Sequence, residues 1–311
     1  MLKKAYYSII IVLAAMQICF AANEDKNPLL VSEPDKTGNV YRQKLETLIT
    51  EEPGPAQQLE AYFRFLPSSG VSSMPGTVEV IESEAEYSYD FKLFDQLPIQ
   101  FSTNVQYIDI NDTVEVPLPS HLTGVSMGWQ ATVPFFSLEK TYFRLRLIPS
   151  FYSDSWNFRS SNFRLPVHAF AIYQPNDQWT FVGGIAIYPD YDSVYNPIIG
   201  FIYKPNDKLT FNIIPIRPVI TYSLNKKLDL FTAFDMVDDE YEVTRNGQKN
   251  VILRYKEMHM GAGFKYKINQ FVTASFSAGE VFSRMFKYRD YNGKVVVQSG
   301  VYTEFRVEMA I

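Results

Sequence analysis

Three glutamates at alternate positions are the residues of this sequence whose types and spacing suggest chemistry most directly. Glu82, Glu84 and Glu86 share one face of a predicted strand, so their carboxylates stand about 6–7 Å apart. At that spacing ionised carboxylates repel one another unless water, cations or basic groups offset the charge. Arg64 in the preceding predicted strand and Arg306 in the last one can neutralise part of it. We therefore expect an acidic row flanked by two arginines where the first and last strands meet.

A basic pair, Arg144 and Arg146, has the same alternate spacing three predicted strands beyond the glutamates. Acidic and basic walls that face each other across water would set a transverse field that selects polar solutes, as rings of charge do in pores. The same residues also fit an interior filled with salt bridges that only stabilises the fold. The sequence leaves both interpretations open.

Histidine chemistry gives a weaker pattern. His259 shares a face with Glu257, a pair that can shift a pKa, but no serine is tied to it by sequence. His121 and His168 do not belong to a nucleophile motif such as G-x-S-x-G. Metal-ligand spacing and a phosphate-binding loop are also missing. We therefore predict no catalytic residues, no metal, no cofactor and no enzymatic activity.

The elements that must position these side chains are long strands with two unlike faces. In the last predicted strand, Val301, Thr303 and Phe305 alternate with Tyr302 and Glu304. A nine-residue phrase occurs twice, at residues 173–181 and 203–211, with Pro, Asn and Asp between β-forming residues. Each copy predicts two strands joined by a tight turn. The pattern predicts an up-and-down sheet of about fourteen strands, with twelve as the alternative.

Three observations favour an apolar face that points outward. The polar faces carry stacked charges, the aromatic residues concentrate beside the short turns, and a signal-like segment begins the chain while an amphipathic strand ends it. Closing the sheet removes its exposed edges. We therefore predict one domain over residues 58–311, an all-β, closed antiparallel transmembrane β-barrel. Its interior is predicted to be lined by Glu82, Glu84, Glu86, Arg64, Arg144, Arg146, Glu257, His259 and Arg306.

The N-terminal segment and the composition set the compartment. Residues 1–22 resemble a secretory signal, with Lys3 and Lys4 before an apolar run and Ala22 at its end. Residues 23–57 are polar and proline-rich, which predicts a flexible periplasmic leader with one short helix. The only cysteine, Cys19, leaves with the signal, so no disulfide framework is expected. The net charge of −5 argues against a nucleic-acid partner.

The sequence also resembles Gram-negative outer-membrane β-barrels, most of all a poorly characterised group known only as a domain of unknown function. The similar stretches are residues 173–222, 261–263 and 277–284. The chain departs from most such barrels in its last residue, Ile311, where they usually carry Phe or Trp. The resemblance implies the bacterial outer membrane as location, with outer-membrane lipid and the barrel-assembly machinery as partners. It brings no known activity.

These observations favour a porin-like passive channel for small polar solutes. A structural or adhesive barrel is the alternative, acting through long loops such as an acidic one expected at residues 235–247. An outer-membrane lipid-modifying enzyme is the least favoured alternative. The sequence names neither a solute nor an oligomeric state.

Overall fold

The computed structural model describes residues 57–72, 74–93, 97–135, 138–189, 191, 194–215, 217–289 and 293–310. The predicted signal and nearly all of the predicted leader lie outside these residues. Within them, strands dominate, and the helical part is one turn of 3₁₀-helix at Ser160–Asn162. None of the helical structure in these ranges is long and apolar enough to cross a membrane.

Seventeen strand segments follow one another along the described chain. They are β1 (Gln57–Gly70), β2 (Thr77–Leu93), β3 (Leu97–Asp112), β4 (His121–Pro134), β5 (Thr141–Leu147), β6 (Ser150–Ser153), β7 (Phe163–Arg164), β8 (Val167–Asn176), β9 (Trp179–Ile187), β10 (Tyr195–Asn206), β11 (Leu209–Asn212), β12 (Val219–Ser223), β13 (Leu228–Arg245), β14 (Gln248–Lys267), β15 (Val272–Tyr288), β16 (Lys294–Val296) and β17 (Gly300–Ala310).

The segments form a closed antiparallel barrel of 14 staves, a stave being one strand or two strands that continue each other. β5 and β6 both pair with β4, β7 and β8 make the next stave, and β16 and β17 make the last. Pro149 and Pro166, which have no N–H to donate, interrupt the first two of these staves. β17 pairs with β1 and closes the barrel. The prediction of a closed barrel of about fourteen strands is confirmed.

Side chains alternate between the interior and the outer surface. On β14, Glu257 and His259 are buried inside, whereas Met260 and Phe264 are exposed outside. The outward apolar residues of this strand lie between Lys256 and Tyr266. At the usual rise and tilt this separation corresponds to about 25 Å, the height of the apolar band on outer-membrane barrels.

One edge of the barrel carries short turns that share a capping geometry. The Asn176 side chain accepts hydrogen bonds from the N–H groups of Gln178 and Trp179, both at 3.0 Å. Asn206, Asn225 and Asn269 repeat this pattern in their own turns. Aromatic rings stack beside the turns, as Trp179 does on Tyr203 with ring centroids 4.1 Å apart. The predicted aromatic row therefore lies at the short-turn edge.

The opposite end of the barrel is filled with apolar side chains. This apolar core joins β1–β4 to β13–β16 and includes Leu66, Val80, Ile108, Leu122, Tyr241, Leu253 and Phe286. β13 also leans across the barrel mouth, because its Glu242 pairs with Ser153 of β6 and accepts a hydrogen bond from the Asp154 N–H at 3.2 Å. Protein therefore occupies this end of the lumen.

The prediction of an acidic loop at residues 235–247 is wrong. β13 continues to Arg245 and pairs almost residue by residue with β14, so only Asn246 and Gly247 form the turn. Tyr241 and Val243, which lie among the acidic residues, pack into the apolar core. Burial of these alternate side chains stabilises a strand where the acidic composition had suggested a solvated loop.

A β-bulge on β15 decides the direction of Arg284. Ser283 has a φ of 56°, and the register between β14 and β15 shifts at this point. The extra residue reverses the alternation, so Arg284 turns inward and is 0% exposed, whereas Glu280 stays exposed. The bulge thus separates two charges that share a face in the simple alternating pattern.

Two neighbouring staves of the barrel, β11 and β12, are much shorter than the others. β11 has 4 residues and β12 has 5, against 18 in β13, whereas a strand that crosses a membrane needs about 9–11. Above the hydrogen bond from the Phe234 N–H to the Pro218 carbonyl, no strand in the described part pairs with Asp235–Tyr241 on the β12 side. We call this gap, between the upper parts of β10 and β13, the notch.

Candidate functional site

All nine residues predicted to line the interior point inward. They are Glu82, Glu84, Glu86, Arg64, Arg144, Arg146, Glu257, His259 and Arg306. They divide into a compact ion cluster around Arg64, where β1 and β17 close the barrel, and separate groups on the walls formed by β2 and β5. The two kinds of group have different surroundings and different chemical capacity.

Arg64 is the centre of the ion cluster. It is 1% exposed, and its guanidinium lies 2.7 Å from Glu82 and 2.7 Å from Glu304. Glu257 and Asp235 follow at 3.6 Å each. Because these acids come from β2, β17, β14 and β13, one cation ties four staves to β1. Such a buried cluster is costly to break, since removing one member leaves charges unpaired.

The predicted pair of Glu257 and His259 belongs to this cluster. His259 Nδ1 lies 3.4 Å from Glu257, and its Nε2 lies 3.4 Å from Asp235. The Tyr255 hydroxyl lies 2.6 Å from Glu257 and 2.8 Å from Glu82. In the described part of the chain no serine hydrogen-bonds to this histidine. The carboxylates of Glu257 and Asp235 therefore surround the His259 imidazole, and the described part of the chain supplies no serine nucleophile for a catalytic triad.

The charged residues on the walls formed by β2 and β5 make hydrogen bonds to uncharged side chains. Glu84 accepts hydrogen bonds from the Tyr62 hydroxyl at 3.1 Å and from Asn104 at 2.6 Å. Arg144 donates to Thr132 at 3.0 Å, and Arg146 donates to Ser102 at 3.3 Å. Since β3 and β4 separate the acidic strand from the basic one, the two sets lie on different parts of the wall.

A cavity of about 610 Å³ lies beside the ion cluster. Its polar side carries Tyr62, Glu84, Gln106, Arg217, Asp235, Asp239 and Arg306. Its other side carries Ala186, Tyr188, Tyr191, Pro197, Ile198 and Pro215. Burial raises the pKa of Tyr188 to about 12, so this phenol stays protonated and can donate a hydrogen bond into the cavity.

The apolar side of the cavity was missed by reasoning from sequence. A buried apolar cluster on the inner face of β8–β10 contains Phe170, Ile172, Val182, Ala186, Ile198 and Ile202, and Ile214, which follows β11, packs with them. The signal was present in neighbouring pairs such as Ile198–Ile199 and Phe201–Ile202, which are apolar on both faces and break the inward-polar pattern. The backbone at Ile213 and Ile214 folds over Gly200, where a Cβ would lie 2.5 Å from the Ile213 carbonyl oxygen.

A second, smaller space of about 40 Å³ lies nearer the short-turn edge. Lys265 and Glu308 form an ion pair of 2.9 Å in its lining. Arg217 and Arg306 line both spaces. Arg306 also pairs with Glu60 and, at 2.9 Å, with Glu304. The two arginines therefore lie between the smaller space, near the short turns, and the larger cavity.

Within the described ranges, no group of three or more His, Cys, Asp or Glu residues is arranged to hold a metal ion. His168 points inward on β8, between the rings of Phe170 and Tyr188. His121 lies at the start of β4, where its Nδ1 is 3.2 Å from the adjacent Ser120 hydroxyl. The three histidines therefore occupy three separate places in the barrel.

Solved outer-membrane proteins resemble the chain at low sequence identity. An outer membrane channel from Pseudomonas putida F1 is 10% identical with a TM-score of 0.46, and covers 91% of this chain and 100% of its own. A Pseudomonas aeruginosa FadL homologue is 8% identical with a TM-score of 0.43, and covers 82% and 90%. LpxR from Salmonella typhimurium is 9% identical with a TM-score of 0.40, and covers 82% and 100%.

No curated protein matches the sequence of this chain. A family model does match it, over residues 98–311, from the start of β3 to the end of the chain. That range includes the notch, the apolar cluster of β8–β10 and most of the cavity lining. The chain therefore belongs to the family described as "Domain of unknown function (DUF6268)".

Proposed function

We propose that the protein is a passive channel of the bacterial outer membrane for small polar solutes. The observation that carries the proposal is the pair of interior spaces that meet at Arg217 and Arg306. Charged and hydroxyl groups line both spaces, so an incoming solute can exchange its water for protein partners. The outward apolar band and the aromatic row support insertion in the outer membrane, with its lipid and the barrel-assembly machinery as partners.

Conductance of the purified mature chain in a planar bilayer tests this proposal. Discrete conductance steps are expected. Arg217→Ala should enlarge them and shift the selectivity toward cations, because it removes bulk and positive charge between the two spaces. Lys226→Ala is the matched control, since Lys226 is exposed in a short turn and lies outside both linings. Folded protein that never conducts would overturn the proposal.

A structural barrel is the second candidate, and one observation favours it. The apolar core fills the end opposite the short turns, and β13 pairs with β6 across the mouth. An interior sealed in this way would resist unfolding without carrying a solute. Absence of conductance together with high resistance to denaturant would select this candidate.

A further inference from the structure

The large cavity touches both faces of one strand. Asp235, Val237 and Asp239 line it from the inner face of β13, and Met236 and Asp238 line it from the outer face. Side chains of a strand alternate between its two sides. A single cavity can reach both sets only by passing the edge of the strand. The cavity therefore extends through the barrel wall along β13.

Among the residues that the structure describes, that edge has no paired strand at the notch. The ladder between β12 and β13 ends at Ala233, with one further hydrogen bond at Phe234, and the ladder between β10 and β11 ends at Ile202, with one further hydrogen bond at Phe201. On the β10 side of the notch, Ile198 is buried and lines the cavity, whereas Ile199 is 79% exposed on the outer surface. Two adjacent isoleucines thus form an apolar rim that leads from outside to inside.

We propose that the notch is a lateral opening through which a single-chain amphiphile passes between the outer leaflet and the cavity. The inference goes beyond the proposed channel function, because it adds a second route, through the barrel wall, for a second class of solute. The apolar core occupies the end of the lumen opposite the short turns, so the side of the barrel offers the route that this end does not.

The lining matches an amphiphile because it has an apolar side and a polar side. An apolar chain would lie against Ala186, Ile198 and Pro215, and a polar head would lie against Arg217 and the tyrosines. At the outer edge, Arg254 pairs with Asp238 at 2.6 Å, and Lys256 lies 3.9 Å from the same carboxylate. These charges stand just above Met236, at the height where head-groups meet the apolar band. The opening thus spans a polar and an apolar layer.

Photolabelling of the full mature chain in phospholipid vesicles tests the inference. The probe is a single-chain alkyl phosphocholine with a diazirine at the end of its chain, and adducts are mapped by mass spectrometry. We expect adducts on the inward residues Ala186 and Ile198 as well as on the outward Ile199. Adducts confined to outward residues would overturn the inference. This test uses the unaltered chain, so it does not require any variant to fold.

A matched pair of variants tests the route. Met236→Trp places a bulky ring in the notch and should reduce the interior adducts by roughly tenfold, the factor for about 1.4 kcal/mol of binding free energy. Met260→Trp is the control, because Met260 is an outward methionine on the neighbouring strand, 57% exposed and away from the cavity. Equal interior labelling of both folded variants would overturn the lateral route.

Conductance of the same preparations keeps the two proposals separate. If the protein conducts but shows no interior adducts, the lateral opening is overturned and the proposed channel function is retained. Interior adducts in protein that does not conduct would overturn the channel and support an opening that admits the amphiphile.

Discussion

The Tyr241 hydroxyl donates a hydrogen bond of 3.0 Å to the Gln106 side-chain oxygen, and both residues are buried. Tyr241 belongs to β13 and Gln106 to β3, so the bond crosses the lumen between staves that lie far apart in the sheet order. On the other side of Tyr241, the Tyr152 ring of β6 makes an edge contact with centroids 5.4 Å apart. Together these contacts draw three parts of the wall inward.

Tyr241→Phe should lower the free energy of unfolding by about 1–3 kcal/mol, because it leaves the buried oxygen of Gln106 without its donor. Denaturant unfolding of the refolded barrel in vesicles measures the change. Tyr195→Phe is the control, since Tyr195 is 66% exposed and should change stability little. Equal effects of the two variants would contradict a bridging role for Tyr241.

Arg64→Met should destabilise the barrel by about 3–5 kcal/mol, because Glu82 would remain buried without the guanidinium 2.7 Å away and Glu304 would keep Arg306 but lose its closest cation. Arg64→Lys should cost less, since it keeps the charge but loses the planar, multiply bonded geometry. The same unfolding assay ranks the two variants. A methionine variant as stable as the lysine variant would mean that the ion cluster contributes no charge-dependent stability.

Glu84→Gln should lower the cation-to-anion permeability ratio, because it removes a negative charge from the cavity lining. Reversal potentials across a salt gradient measure the ratio. Glu79→Gln on the same strand is the control, since Glu79 lies on the opposite face from Glu84. An unchanged ratio in a conducting Glu84 variant would remove this residue from the pathway.

Met260→Arg should cost about 2–4 kcal/mol of stability, because Met260 lies near the middle of the outward apolar band. Phe264→Arg, closer to the short turns, should cost less, since a long side chain there can reach the interface. Unfolding in vesicles measures both. If Phe264→Arg proved the costlier change, the assignment of the membrane midplane on β14 would be wrong.

Arg284→Met should raise the free energy of unfolding by about 1–3 kcal/mol, because no nitrogen of this buried guanidinium makes a hydrogen bond in the described part of the chain. Methionine has a similar length and no polar group to desolvate. Arg289→Met provides the comparison, since Arg289 pairs with Glu240 and its loss should destabilise. Destabilisation by Arg284→Met would show that the guanidinium is satisfied in solution.

The sequence by itself determined most of the strands, the short turns and the direction of the side chains within the regular strands. Where one face of a strand contacts lipid and the other contacts the barrel interior, strict alternation assigns each residue to a face. Glu82, Glu84 and Glu86 are an example. The asparagine turns are equally local, because a side chain such as that of Asn176 bonds to N–H groups two and three residues ahead. Local physics therefore sufficed for the barrel, except for the upper part of β13, where a loop was predicted, and the bulge at Ser283.

Only the tertiary structure decided which inward residues meet. Arg64 reaches Asp235 and Glu304 because closure brings β17 beside β1 and the narrowed lumen brings β13 close. The notch depends on the length of β12 relative to β13, which is set by where pairing stops. The amphipathic cavity depends on apolar residues of β8–β10 that face charges from distant strands. These relationships join residues far apart in sequence, and alternation within one strand carries no information about its partners across the barrel.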